Sequence, residues 1–104
     1  MPMLMGKVVG TVVSTQKDEG LKGLKILVVQ CVDIAMKLIS SYVIAADAIG
    51  CGEGELVIVV QGSSARIAEG TKNKPVDASI IAIVDSVEVD GKRIFEKFQK
   101  DQVK

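Results

Sequence analysis

Two stretches of this chain are apolar without interruption: Leu56-Val57-Ile58-Val59-Val60 and Ile80-Ile81-Ala82-Ile83-Val84. Both are rich in β-branched side chains and bounded by polar residues, which reads as strand. Successive side chains on a strand point to opposite faces, so such runs leave no polar side. The first predicted strand behaves alike, with Val9 and Val13 pointing one way and Val8 and Val12 the other. An antiparallel barrel has one inside, and its outer face is ordinarily polar. A chain of 104 residues makes one domain and is too small to hide so much apolar surface internally. The excess predicts a subunit interface and an obligate oligomer.

The rest of the pattern fits a small barrel or sandwich. Val and Ile make up about a quarter of the chain, in short segments punctuated by Gly. Strands are predicted over residues 7–14, 25–32, 42–48, 55–61 and 78–89, with a turn-rich loop at 15–23. Residues 33–41 settle on neither a period of 2 nor one of 3.6. Residues 62–69 read as one or two helical turns, with Ser63 or Ser64 as N-cap and Gly70 as stop. Residues 71–75 form a polar loop. Asp90-Gly91 is a hairpin signal that turns the chain into 92–95. Beyond it, residues 95–104 fit a short amphipathic helix or a frayed tail, with Phe95 and Phe98 as packing anchors. The whole is expected to be a single domain, 1–104, with a core over about 5–89 and a C-terminal hairpin or tail over 90–104.

Charge and composition narrow the function classes. Lys+Arg and Asp+Glu are both 13, so formal net charge is zero. That disfavours nucleic-acid binders, which neutralise phosphates with clustered cations, and polybasic membrane-surface proteins. Hydrophobic residues reach 48%, which rules out disorder over most of the chain. There is no His, the side chain best suited to proton transfer near neutral pH, so an enzyme is not expected. The N-terminus lacks the pattern of a signal peptide, and no apolar run is long enough to span a bilayer. Cys31 and Cys51 read as small buried thiols in a reducing cytoplasm.

Each motif that invites a chemical reading has a plainer one. Gly50-Cys51-Gly52-Glu53-Gly54-Glu55 resembles a phosphate loop, but it lacks the Lys-Ser/Thr of a P-loop and leads into a strand. A tight inter-strand turn is the better reading. Asp47, Cys51, Glu53 and Glu55 match no zinc or EF-hand spacing and are taken as solvated turn carboxylates beside a thiol. No His activates Cys51, and Ser63-Ser64 reads as helix capping. Arg66 is expected to make a bidentate pair with a carboxylate, Asp77 or Asp85. No catalytic, metal-binding or cofactor-binding residue is assigned.

Several segments taken in order carry a resemblance. They are Gly10-Thr11-Val12-Val13-Ser14-Thr15-Gln16-Lys17, Leu21-Lys22-Gly23-Leu24-Lys25-Ile26-Leu27-Val28-Val29-Gln30 and Ala46-Asp47-Ala48-Ile49-Gly50-Cys51-Gly52. Further along come Gly54-Glu55-Leu56-Val57, Gln61-Gly62-Ser63-Ser64-Ala65-Arg66, Pro75-Val76-Asp77-Ala78 and Ile83-Val84-Asp85. Together, from Met5 to Val89, they resemble the EutN/CcmL family of pentameric vertex proteins of bacterial microcompartment shells. The resemblance implies an all-β fold, a five-stranded OB-like closed barrel with one short helix, and a structural role in a cytoplasmic shell. It implies two kinds of partner: four further copies of the chain and the hexameric tiles of the same shell. By the same carry-over, Gly50, Gly52, Gly54 and Glu55 form a tight turn and its flank. Gly62, Ser63, Ser64, Ala65 and Arg66, with Asp77, belong to a segment that helps build the subunit contact. The family usually has Ala where this chain has Cys51, which adds a thiol near a possible interface. The alternative is a free OB-fold module for single-stranded nucleic acid or oligosaccharide. Such sites want stacking aromatics in a basic groove, and only Tyr42, at an edge, lies among the first three predicted strands.

Overall fold

The computed structural model describes residues 3–15, 18–62, 65 and 76–97. Seven strands follow in order: β1 (Met3–Val12), β2 (Lys25–Val32), β3 (Leu38–Asp47), β4 (Leu56–Gln61), β5 (Ala78–Ile83), β6 (Ser86–Val89) and β7 (Lys92–Glu96). The first five close into a barrel in the order β1-β2-β3-β5-β4, and β6 and β7 form a separate two-stranded sheet. All barrel neighbours are antiparallel except β3 and β5, which meet in parallel through Ala46↔Ser79 and Asp47↔Ile80. Of the helix expected over 62–69 only Gly62 and Ala65 are among the described residues, and the tail beyond Lys97 lies outside them.

The interior is built from one face of each strand. Val8, Leu27, Val29, Ala45, Val57, Val59, Ala78 and Ile80 pack together with Cys51 from the turn before β4. On β2 the alternation is clean: Leu27, Val29 and Cys31 are buried while Ile26, Val28 and Gln30 are half-buried. Burying these aliphatic side chains is what holds so small a barrel together, at roughly 1.5–3 kcal/mol for each one fully removed from water.

Three features correct the sequence reading. β1 starts earlier than expected and carries a bulge: Val8 pairs with Val29 and Gly10 with Val28, leaving Val9 without a partner. The extra residue reverses the facing of everything after it, so Val8 points into the core while Val12 is exposed on the outside. The long strand expected over 78–89 breaks at Val84 and Asp85: the Val84 N–H still donates across to Leu56 O at 2.8 Å, and beyond it the chain leaves the barrel to pair β6 with β7. The third concerns β4. Val57 and Val59 face the core, yet Leu56 and Val60 on the other side are buried as well, within a single chain. Part of the reason is the C-terminal hairpin, whose Ile94 and Phe95 line, with Leu56 and Lys7, a cleft over the start of this strand. The two-faced run that suggested an interface is thus largely an intramolecular feature.

Loops explain the remaining ambiguity. Residues 33–37 form a tight connection in which Asp33 Oδ1 accepts from the N–H groups of Ala35 (2.8 Å) and Lys37 (3.0 Å). β3 then begins at Leu38, so the stretch without a period is half loop and half strand. Asp90 (φ 53°) and Gly91 (φ 76°) make the two-residue turn between β6 and β7 that the Asp-Gly pair foretold.

Candidate assembly surface

Residues 47–55 form the turn the sequence singled out, and its organiser is Asp47. The Asp47 side chain is only 4% exposed, contrary to the expectation of a solvated carboxylate. Its Oδ1 accepts from the N–H groups of Ile49 (3.0 Å) and Gly50 (3.1 Å), and Oδ2 accepts from Cys51 N–H (3.1 Å). An ionised acceptor meeting several backbone donors fixes the local chain path. Gly50 (φ 86°) and Gly54 (φ 89°) occupy the left-handed region that glycine adopts without a Cβ penalty. Gly52 is different: no positive φ is required there, and an added Cβ would meet open space.

A second carboxylate completes the turn. Glu55 Oε1 accepts from Gly52 N–H at 2.7 Å, and Glu55 Oε2 lies 2.9 Å from Lys97 Nζ at the end of β7. The Lys97 ammonium, and then the Gly52 N–H, hold the Glu55 carboxyl below its ordinary range, while Lys97 is raised in return. The turn is also zipped to β1, with Gly54 N–H donating to Val8 O (2.8 Å) and Val8 N–H donating to Glu55 O (2.9 Å). The backbone donors of Ile49, Gly50, Cys51 and Gly52 therefore already face the protein's own carboxylates. A phosphate has no vacant nest to enter, which gives the physical reason for reading this glycine-rich segment as a turn.

Cys51 lies in the barrel core with 0% exposure. Burial, followed by the neighbouring Asp47 charge, pushes its thiol up to about 11. That is the reverse of the electropositive setting that activates a cysteine, and it identifies a packing residue. Cys31 is likewise buried, and both thiols are free. Glu53 is exposed, and among the described residues no group of three or more His, Cys, Asp or Glu converges to hold a metal ion.

Of the residues expected at a subunit contact, Gly62 and Asp77 come together: Gly62 N–H donates to Asp77 O at 2.7 Å. Asp77 is exposed and Ala65 fully buried. Ser63, Ser64 and Arg66 lie outside the described residues, and with them the pairing expected of Arg66. Asp85 is exposed next to Lys97, whose N–H donates to Asp85 O at 2.8 Å.

The exposed apolar surface lies elsewhere, on the outside of β1, β2 and β3. Ile44 is 53% exposed and Tyr42 59%, with Leu38, Ile39 and Val12 also open to solvent. Register places Ile44 opposite Val28 and Val28 opposite Gly10, with Val12 opposite Ile26 in the next outward row. Sequence reasoning missed this face because the bulge in β1 and the start of β3 at Leu38 decide which side chains point out. The exposed run Leu38-Ile39, preceding a polar Ser-Ser, was the available signal.

Comparison with known proteins is consistent across the chain. Residues 3–85 match the family described as ethanolamine utilisation protein EutN/carboxysome. A carboxysome shell vertex protein, CcmL, from Nostoc is 46% identical over 101 residues, spanning 96% of this chain and 98% of the relative. The solved structure of CcmL from Gloeobacter violaceus superposes with a TM-score of 0.88 at 41% identity, covering 92% of this chain and 99% of the other. The pentameric microcompartment shell protein GrpN from Rhodospirillum rubrum superposes with a TM-score of 0.74 at 43% identity, covering 83% and 96%.

Proposed function

The chain belongs to the EutN/CcmL family, and from that premise we propose that it is a structural shell protein whose pentamers cap the vertices of a polyhedral bacterial microcompartment. The observation that carries this is similarity over nearly the whole barrel to shell vertex proteins, one of them described as pentameric. The physical logic is geometric. Hexagonal tiles cover a plane, and a closed polyhedron needs pentagonal units at its corners. A ring of identical chains closes when one patch meets a different patch on the neighbour through a rotation of one fifth of a turn. The chain works inside the bacterial cytoplasm as part of the shell, and its role is structural.

Two finer points extend this reading. The hexameric tiles of the same shell are the second class of partner, met along the rim of the pentamer. The turn at Gly50, Gly52, Gly54 and Glu55, and the segment from Gly62 through Ser63, Ser64, Ala65 and Arg66 to Asp77, contribute to the contacts. Support comes from the exposure of Gly50, Gly52 and Gly54 on a turn fastened at both ends, and from the Gly62–Asp77 bond that closes the base of the segment. Co-expression with the hexameric tiles tests the vertex role. Closed polyhedra are expected when the chain is present, and open sheets or tubes when it is omitted. Equal closure without it contradicts the proposal.

A further inference from the structure

We infer that β6 and β7 form a hinged arm that opens from the barrel as a unit, with Val84 and Asp85 as its hinge and the Glu55–Lys97 ion pair as its latch. Through Glu55 the state of the arm is passed to the glycine-rich turn. This stands on the single chain and does not rest on the pentamer reading.

The arm is set apart by its construction. β6 and β7 pair with each other and, among the described residues, with no barrel strand. A two-stranded hairpin alone is marginal in water, so this one depends on what fastens it. No residue of β6 or β7 is buried, whereas every barrel strand carries buried residues. The register skips Ile94, since Val87 pairs with Phe95 and Glu88 with Arg93. A bulge of this kind re-aims a side chain, and Ile94 and Phe95, though adjacent, both line the cleft against Lys7, Met36, Leu38 and Leu56. That cleft has a volume of about 730 Å³. A seam packed like a protein interior leaves no space of that size, so the arm is seated loosely.

Its fastenings gather at one end. The Val84 N–H donates to Leu56 O at 2.8 Å, after which the chain leaves the barrel, and the Lys97 N–H donates to Asp85 O at 2.8 Å across the base of the arm. Beside this base, Lys97 Nζ lies 2.9 Å from Glu55 Oε2. The far end, residues 90–93, is exposed. Within the arm, Arg93 reaches Glu96 at 2.9 Å and Glu88 at 3.5 Å, which ties its two strands together as it moves. The other oxygen of Glu55 accepts from the Gly52 N–H at 2.7 Å. One carboxylate therefore serves both elements, and when Lys97 leaves it loses the cation that orients it toward the turn. Such coupling is reciprocal: whatever steadies the turn also closes the arm.

Hydrogen exchange of the whole chain, in the assembly it forms and read amide by amide, tests this. The amides of the β6–β7 ladder are expected to exchange together, about tenfold or more faster than those of β1, β2 and β4. Lys97→Gln releases the latch and is expected to speed the arm amides and the Gly52 amide about threefold, with the barrel unchanged. Raising salt to about 1 M screens the pair, and is expected to do the same to the parent chain and nothing to the variant. Lys92→Gln removes an equal charge from the arm outside the latch and is expected to change nothing. Arm amides that exchange as slowly as the barrel overturn the arm. A Lys97→Gln chain whose arm exchanges like the parent's, or a Lys92→Gln chain that speeds it equally, overturns the latch. Arm amides that quicken while Gly52 stays unchanged overturn the coupling to the turn.

Discussion

Asp47→Ala lowers the stability of the folded chain by about 2–4 kcal/mol, the largest effect expected of any residue in the glycine-rich turn. The side chain accepts from three backbone N–H groups, and its removal leaves that of buried Cys51 with no acceptor and those of Ile49 and Gly50 to water. An orphaned buried donor costs about 1–3 kcal/mol, and the loss of charge-assisted bonds adds to it. A domain of this size is stable by only about 5–15 kcal/mol, so the change consumes a large share. Thermal unfolding at fixed chain concentration is expected to show a Tm lower by roughly 10 °C or more. Asp47→Asn retains one oxygen and should fall between the two. An alanine variant melting within a degree or two of the parent would mean that the turn holds without its carboxylate.

Val59→Glu prevents folding. Val59 has 0% exposure and lies opposite Ile80 inside the barrel, among side chains that offer a carboxylate no partner. An unpaired charge in such a place costs several kcal/mol, and the carboxyl either takes up a proton or opens the core to water. The expected products are inclusion bodies or a chain without a cooperative transition, whereas Val59→Ala folds with reduced stability. From the sequence alone, a run apolar on both sides did not say whether Val59 or its neighbour Val60 faces inward. The structure places Val59 in the interior, and circular dichroism with a denaturant titration of the Glu variant distinguishes the two placements. A soluble, cooperatively folding Val59→Glu chain would contradict the barrel register.

The sequence carried some of this unambiguously. β2 runs from Lys25 to Val32 as read, because it is a run of β-branched and apolar residues bounded by Gly23 and Asp33, and its Leu27-Val29-Cys31 face is the buried one. The Asp90-Gly91 turn was legible because only a few residues accept positive φ at both positions of a two-residue hairpin. What could not be read was decided by contacts distant in sequence. The bulge at Val9 depends on pairing with β2, and it alone determines that Val12 faces outward. Gly6 needs its missing Cβ because that atom would lie 2.7 Å from Gln30 O, a crossing no local pattern announces. Asp47 was mistaken for a solvated group because its partners are its own neighbours' N–H groups. The signal available was an Asp placed shortly before a glycine-rich turn, where a carboxylate can fold back onto the backbone. The resemblance to a shell family named the assembly, while the strand pattern that first suggested an interface was satisfied largely by β4 burying both of its sides within one chain.

A ring of five chains is the assembly that family membership and the likeness to pentameric GrpN support. Native mass spectrometry of the purified chain across a dilution series tests that claim most directly. The predicted result is a single species of five chains that persists on dilution. A stable monomer at every concentration would contradict it.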